Sequence, residues 1–94
     1  MGYRIELGEI ETAAYGIDKI KSAVAVFDAV KDAIVLIFVG KIKEDELLSA
    51  LTDKIPNYML PNTLIKVSEL PYNANGKVDR AWLNKNYATY IKGQ

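Results

Sequence analysis

Apolar residues recur along this chain with two different periods, and the switches between them divide it into elements. In "LGEIETAAYGI", Leu7, Ile10, Ala14 and Ile17 share one helical face, while Glu9 and Glu11 fall on the other. Acid in the first turn suits the helix dipole, and Gly16 is a natural stop. Gly8 costs up to about 1 kcal/mol in a helix interior and less in the first turn, so this helix should be short. "KSAVAVFDAVKDAIVLIFVG" reads instead as two strands around a polar turn near residues 28–32. Both strands are apolar on both faces, which predicts a sheet covered on both sides by helices.

Helical spacing returns in "EDELLSALTDKIP", with Leu47, Leu48, Leu51 and Ile55 on one face, acids early, Lys54 late and Pro56 closing it. "NTLIKVSEL" reads as a third strand. After a turn, Asp79 can cap a last helix in which Leu83, Tyr87 and Tyr90 or Ile91 line one face. The predicted order is short β, α, β, β, α, β, turn, α. This describes an α+β domain: a small three-stranded sheet flanked by helices, plus a short N-terminal strand or loop.

Composition narrows the chemistry. A chain of 94 residues makes one small domain, and a hydrophobic share of 50% is ordinary for a globular protein. Twelve basic residues balance twelve acidic ones. That neutrality argues against nucleic-acid or anionic-membrane binding, which depends on accumulated positive charge. The longest apolar run, "AIVLIFV", has seven residues against the ~20 of a membrane-spanning helix, and no signal peptide is visible, so a cytoplasmic location is expected. With neither cysteine nor histidine, the chain has no thiolate zinc site, no cysteine nucleophile and no histidine-based triad.

Three segments are not fully explained by core packing. "GYRIELGEIE", residues 2–11, is either a terminus running into an amphipathic helix or a loop whose glycine lets another molecule approach, with Arg4 open to an anion. "IPNYMLPN", residues 55–62, has two prolines bracketing Tyr58 and Met59, as in a rigid connection. "LPYNANGKVDR", residues 70–80, contains an Asn-Gly pair that marks a tight turn, with Lys77 on its far lip. Taken alone, each has a purely structural reading.

Taken in order and at these intervals, the three segments resemble the closing motifs of adenylate-forming enzymes. The likeness is greatest to the amino-acid adenylation domains of non-ribosomal peptide synthetases and their D-alanine-activating relatives, and it runs from Gly2 to about Leu83. The resemblance implies that residues 1–94 form the C-terminal lid subdomain alone. The family's N-terminal core is not represented in these residues, nor is the hinge that precedes the Gly-Tyr-Arg segment. In such enzymes a carboxylate attacks the α-phosphate of ATP, with Mg2+ present. The lid then rotates, and a phosphopantetheine thiol on a carrier protein takes the acyl group as a thioester.

Carried over residue by residue, Lys77 matches the lysine of the family's Asn-Gly-Lys motif and is the expected catalytic residue, with Gly76 shaping the turn tip and expected, with it, to contact substrate or nucleotide. Asp79 and Arg80 are expected to anchor that turn to the last helix. Gly2 and Tyr3 match positions along the pantetheine tunnel, and Arg4 matches an arginine that meets nucleotide phosphate. The "IPNYMLP" segment stays structural. The implied partners are an adenylation core and a peptidyl or acyl carrier protein, with no cofactor bound by these residues alone and no activity in isolation. The alternatives are a non-catalytic lid-like module that docks a carrier protein or partner subunit, and a generic α+β domain whose motifs are only structural.

Overall fold

The computed structural model describes residues 6–28 and 30–92. Helix α1 (Leu7–Tyr15) leads into strands β1 (Ile20–Asp28) and β2 (Ala33–Gly40). Helix α2 (Glu44–Thr52), a single 3-10 turn (Asn57–Met59), strand β3 (Thr63–Lys66) and helix α3 (Arg80–Lys92) follow. The three strands form one sheet in the order β1-β2-β3. The expected α+β fold is therefore present. The short strand expected ahead of α1 lies outside the described residues.

β1 and β2 pair antiparallel, whereas β2 and β3 pair parallel. The tight connection between β1 and β2 is fixed by Asp28, whose Oδ1 accepts the backbone N–H groups of Val30 and Lys31 at 3.0 and 3.1 Å. Asp32 adopts a positive φ of 51° there, a conformation that aspartate tolerates better than most residues. A parallel neighbour cannot be reached by a hairpin, so the chain crosses over through α2 before β3 begins.

β3 is shorter than the apolar pattern of "NTLIKVSEL" suggests. Ladder pairing ends at Lys66, and Val67 and Leu70 enter the core from irregular backbone. α2 likewise ends at Thr52, ahead of Pro56, and Ile55 reaches the core from the turn that follows.

The continuous apolar character of the two long strands has the expected cause: each face of the sheet has its own core. On one face α1 and α2 supply Ile10, Ala14, Leu47 and Leu51 against Ala23, Ala25, Leu36 and Phe38. On the other, Leu83 of α3 packs with Val24, Val26, Val35 and Ile37. Phe38, Leu36 and Ile37 of the central strand are fully buried, and such side chains contribute roughly 1.5–3 kcal/mol each. Tyr90 joins the second core and meets Trp82 edge-on at 6.1 Å, while the side chains of Tyr87 and Ile91, expected on the same face, lie outside the described residues.

Candidate functional site

The segment after β3 forms a hairpin-like loop closed by an antiparallel bridge between Tyr72 and Val78. Its tip is not a two-residue Asn-Gly turn. The Gly76 N–H donates to the Asn73 carbonyl at 3.0 Å, which puts Ala74 and Asn75 at the centre of the turn. Gly76 follows with φ +79°, and the Asn73 N–H donates to the Lys77 carbonyl at 2.8 Å. This is the three-residue loop in which a left-handed glycine completes a bulge, and it explains why the glycine stands directly before the lysine. Asn73 does the remaining work: its Oδ1 accepts the N–H groups of Asn75 at 2.9 Å and Lys77 at 3.2 Å.

Lys77 is exposed at this tip. Among the described residues its ammonium has neither an ion pair nor a hydrogen bond. A long, flexible cation on a turn held by four hydrogen bonds combines a fixed base with a free head.

Beyond Lys77 the chain is secured twice. The Asp79 N–H donates to the Pro71 carbonyl at 2.9 Å, and the Asp79 Oδ1 accepts the Trp82 N–H at 3.0 Å, capping α3 as the sequence suggested. Arg80 behaves differently from expectation. Rather than tying the turn to α3 alone, its guanidinium donates to Glu11 Oε1 on α1, 69 positions earlier. Glu11 is likewise not on the open face that the helical pattern assigns to it. Its side chain retains only 14% exposure, and its Oε2 accepts the Ala25 N–H at 2.8 Å.

The reason is tertiary. β1 is an edge strand, so alternate backbone N–H groups lack a ladder partner and must be satisfied from elsewhere. Glu11 serves Ala25, and one turn later the Tyr15 hydroxyl accepts the Ala23 N–H at 3.2 Å.

A cleft of about 350 Å³ runs between this edge and the turn, lined by Glu11, Tyr15, Tyr72, Lys77 and Arg80 among others. Its rim carries two half-exposed tyrosines and two cations, one of which is already paired with Glu11. Of the residues singled out in the sequence, Gly76 and Lys77 are thus placed together. Gly2, Tyr3 and Arg4 lie outside the described residues.

The 55–62 segment serves the sheet. Met59 is buried, and Asn62 extends the β2–β3 pairing by donating its N–H to the Ile34 carbonyl and accepting the Ile34 N–H on Oδ1, both at 2.8 Å. Among the described residues no three acidic, histidine or cysteine side chains gather to hold a metal ion, and no helix is long and apolar enough to cross a membrane.

Residues 9–77 match the model of the AMP-binding enzyme C-terminal domain. The chain belongs to that family. Gramicidin S synthase 2 of Brevibacillus brevis is 43% identical over 86 residues, covering 84% of this chain and 2% of the synthase. Tyrocidine synthase 3 of Brevibacillus parabrevis is 34% identical over 97 residues, covering 98% of this chain and likewise 2% of the relative. The chain thus spans a very small part of each. A solved four-domain nonribosomal peptide synthetase, bound to AMP and glycine, superposes with a TM-score of 0.70 at 37% identity, over 85% of this chain and 6% of that one. The sheet and three helices described above are therefore the fold of the C-terminal domain of adenylate-forming enzymes, of the kind found in peptide synthetase adenylation domains. The family match ends at Lys77, at the tip of the turn.

Proposed function

We propose that this domain is the mobile lid of an amino-acid adenylating ligase and that Lys77 is its catalytic residue. On this reading the lid works with an N-terminal adenylation core that binds ATP, Mg2+ and the amino acid. Lys77 acts in the first half-reaction, and the lid then rotates to support thioester transfer to the phosphopantetheine of a carrier protein. The observation that carries the reading is the build of the turn: Asn73 and Gly76 hold the backbone of Lys77, while its ammonium is left open to solvent.

The chemistry asks for that arrangement. Adenylation drives a carboxylate onto an α-phosphate, one anion onto another. A compact ammonium bridging the two lowers the barrier by charge and by positioning. At about 4 Å and an effective dielectric near 20, one such charge pair amounts to roughly 4 kcal/mol before desolvation of the lysine is subtracted. Half of that already changes the rate by more than about tenfold. The position of Gly2 and Tyr3 in the pantetheine tunnel and the contact of Arg4 with nucleotide phosphate belong to the same proposal, on family resemblance alone.

The test uses the domain joined to its adenylation core. Lys77→Ala should abolish most amino-acid-dependent pyrophosphate exchange, while thioester formation from supplied adenylate survives. Equal loss of both half-reactions would refute the role given to Lys77.

A further inference from the structure

The geometry points to Glu11 as a positioning residue for Lys77, acting through Arg80. This inference rests on the assignment of Lys77 made above and adds a residue that the resemblance leaves without a role. Glu11 closes the first of the three sequence motifs and Arg80 closes the third, and a single carboxylate joins them. One oxygen, Oε2, is committed to the Ala25 N–H on the sheet edge; the other, Oε1, receives the Arg80 guanidinium. Arg80 stands three residues beyond Lys77, and between them lie only Val78, bridged to Tyr72, and Asp79, the cap of α3.

Besides the bonds of Asp79, the turn carrying Lys77 is held in two further ways. Its own hydrogen bonds, centred on Asn73, set its shape. The Glu11–Arg80 clasp sets where that shape sits relative to the sheet, because the carboxylate is itself anchored to β1. A carboxylate with two acceptor oxygens can do both tasks at once, and its charge strengthens both bonds. Glutamine at this position keeps an acceptor for Ala25 but loses the charge that holds the guanidinium. Glu11→Gln thus separates the clasp from the satisfaction of the sheet edge.

The experiment has two arms. In the 94-residue chain, backbone amide relaxation is measured for residues 73–80, and hydrogen exchange for Ala25, in wild type, Glu11→Gln and Arg80→Ala. Both variants should gain mobility at residues 76–80, while Ala25 stays protected in Glu11→Gln. In the domain joined to its core, both variants should lower kcat for pyrophosphate exchange roughly 10- to 100-fold, the scale of a small misplacement of a reacting group. KM for ATP and thioester formation from supplied adenylate should hold. The double variant should fall no further than either single one, because both remove the same link. Arg80→Lys, which keeps a charge but not the planar fork, should restore part of the loss.

Unchanged mobility of the turn in both variants overturns the proposal whatever the kinetics show. So does a parallel loss of both half-reactions, which marks general destabilisation. If Lys77→Ala abolishes exchange and Glu11→Gln does not, the positioning role fails while the reading of Lys77 stands. If Lys77→Ala leaves exchange intact, the reading of Lys77 fails, and with it the positioning of a catalytic lysine.

Discussion

Gly76→Ala isolates the conformational demand of the lysine turn from every packing effect. The residue has φ +79°, and a Cβ built on it would meet no heavy atom within 4 Å. The added methyl group therefore clashes with nothing outside its own residue and its neighbours. What remains is the local cost of a left-handed L-residue, about 1–2 kcal/mol. Alanine also narrows the unfolded ensemble, which offsets roughly 0.4–1 kcal/mol of that cost. The net loss should be about 1 kcal/mol, or some 4–8 °C in Tm for a domain of this size. Urea unfolding of the isolated chain measures it, with an unchanged slope showing that only stability has moved. Gly76→Asn should lose less, since asparagine tolerates the left-handed region. An alanine variant more stable than wild type would mean that the turn does not require a positive φ. A loss beyond about 3 kcal/mol would exceed local strain and point to a contact the fold does not show.

Two further substitutions test other parts of the fold. A Cβ at Gly40 would stand 2.3 Å from the Lys19 carbonyl and 3.1 Å from the Ile20 Cα, both backbone atoms. Gly40→Ala should therefore cost about 3 kcal/mol or more, the upper end of overpacking, and the same urea titration should show a far larger shift than Gly76→Ala. Tyr90 donates its hydroxyl to the Glu69 carbonyl, and burial, followed by the charge of Glu69, raises its pKa above the ordinary 10.0. The folded state then holds the phenolic proton where the unfolded chain releases it. This contribution is complete below pH 10.0 and is lost as pH rises through the raised value. Unfolding midpoints of wild type and Tyr90→Phe should converge across that window; a constant gap would contradict the assignment.

Much of the fold is legible in the residue pattern because burial periodicity is a local signal. The two continuous apolar runs required a sheet covered on both faces, and the two cores supply the cover. Asp79 as the cap of the last helix and the stop of α1 at Gly16 could also be read locally, since caps involve residues a few positions apart. Strand length was less legible. "NTLIKVSEL" is apolar enough to be strand throughout, but the regular ladder runs only from Thr63 to Lys66, although β2 continues to Gly40. The Asn-Gly pair marked a turn correctly without specifying its type, because the hydrogen bonds of Asn73 place the pair one step later in the turn than a two-residue hairpin would.

The sequence by itself determined the elements, their order and a lysine placed directly after a glycine that can turn left-handed. Those features depend on side chains within a few residues of one another, or on motifs whose order survives any arrangement in space. Only the tertiary structure decided what Glu11 and Arg80 do. Helical periodicity puts Glu11 on the solvent side, and nothing near Arg80 in the chain calls for an acid on α1. Both are drawn in because β1 lies at the sheet edge with an N–H to satisfy, and because the turn carrying Lys77 passes beside that edge. An unpaired edge amide and a carboxylate with two oxygens are features of the folded state, and no pattern along the chain contains them.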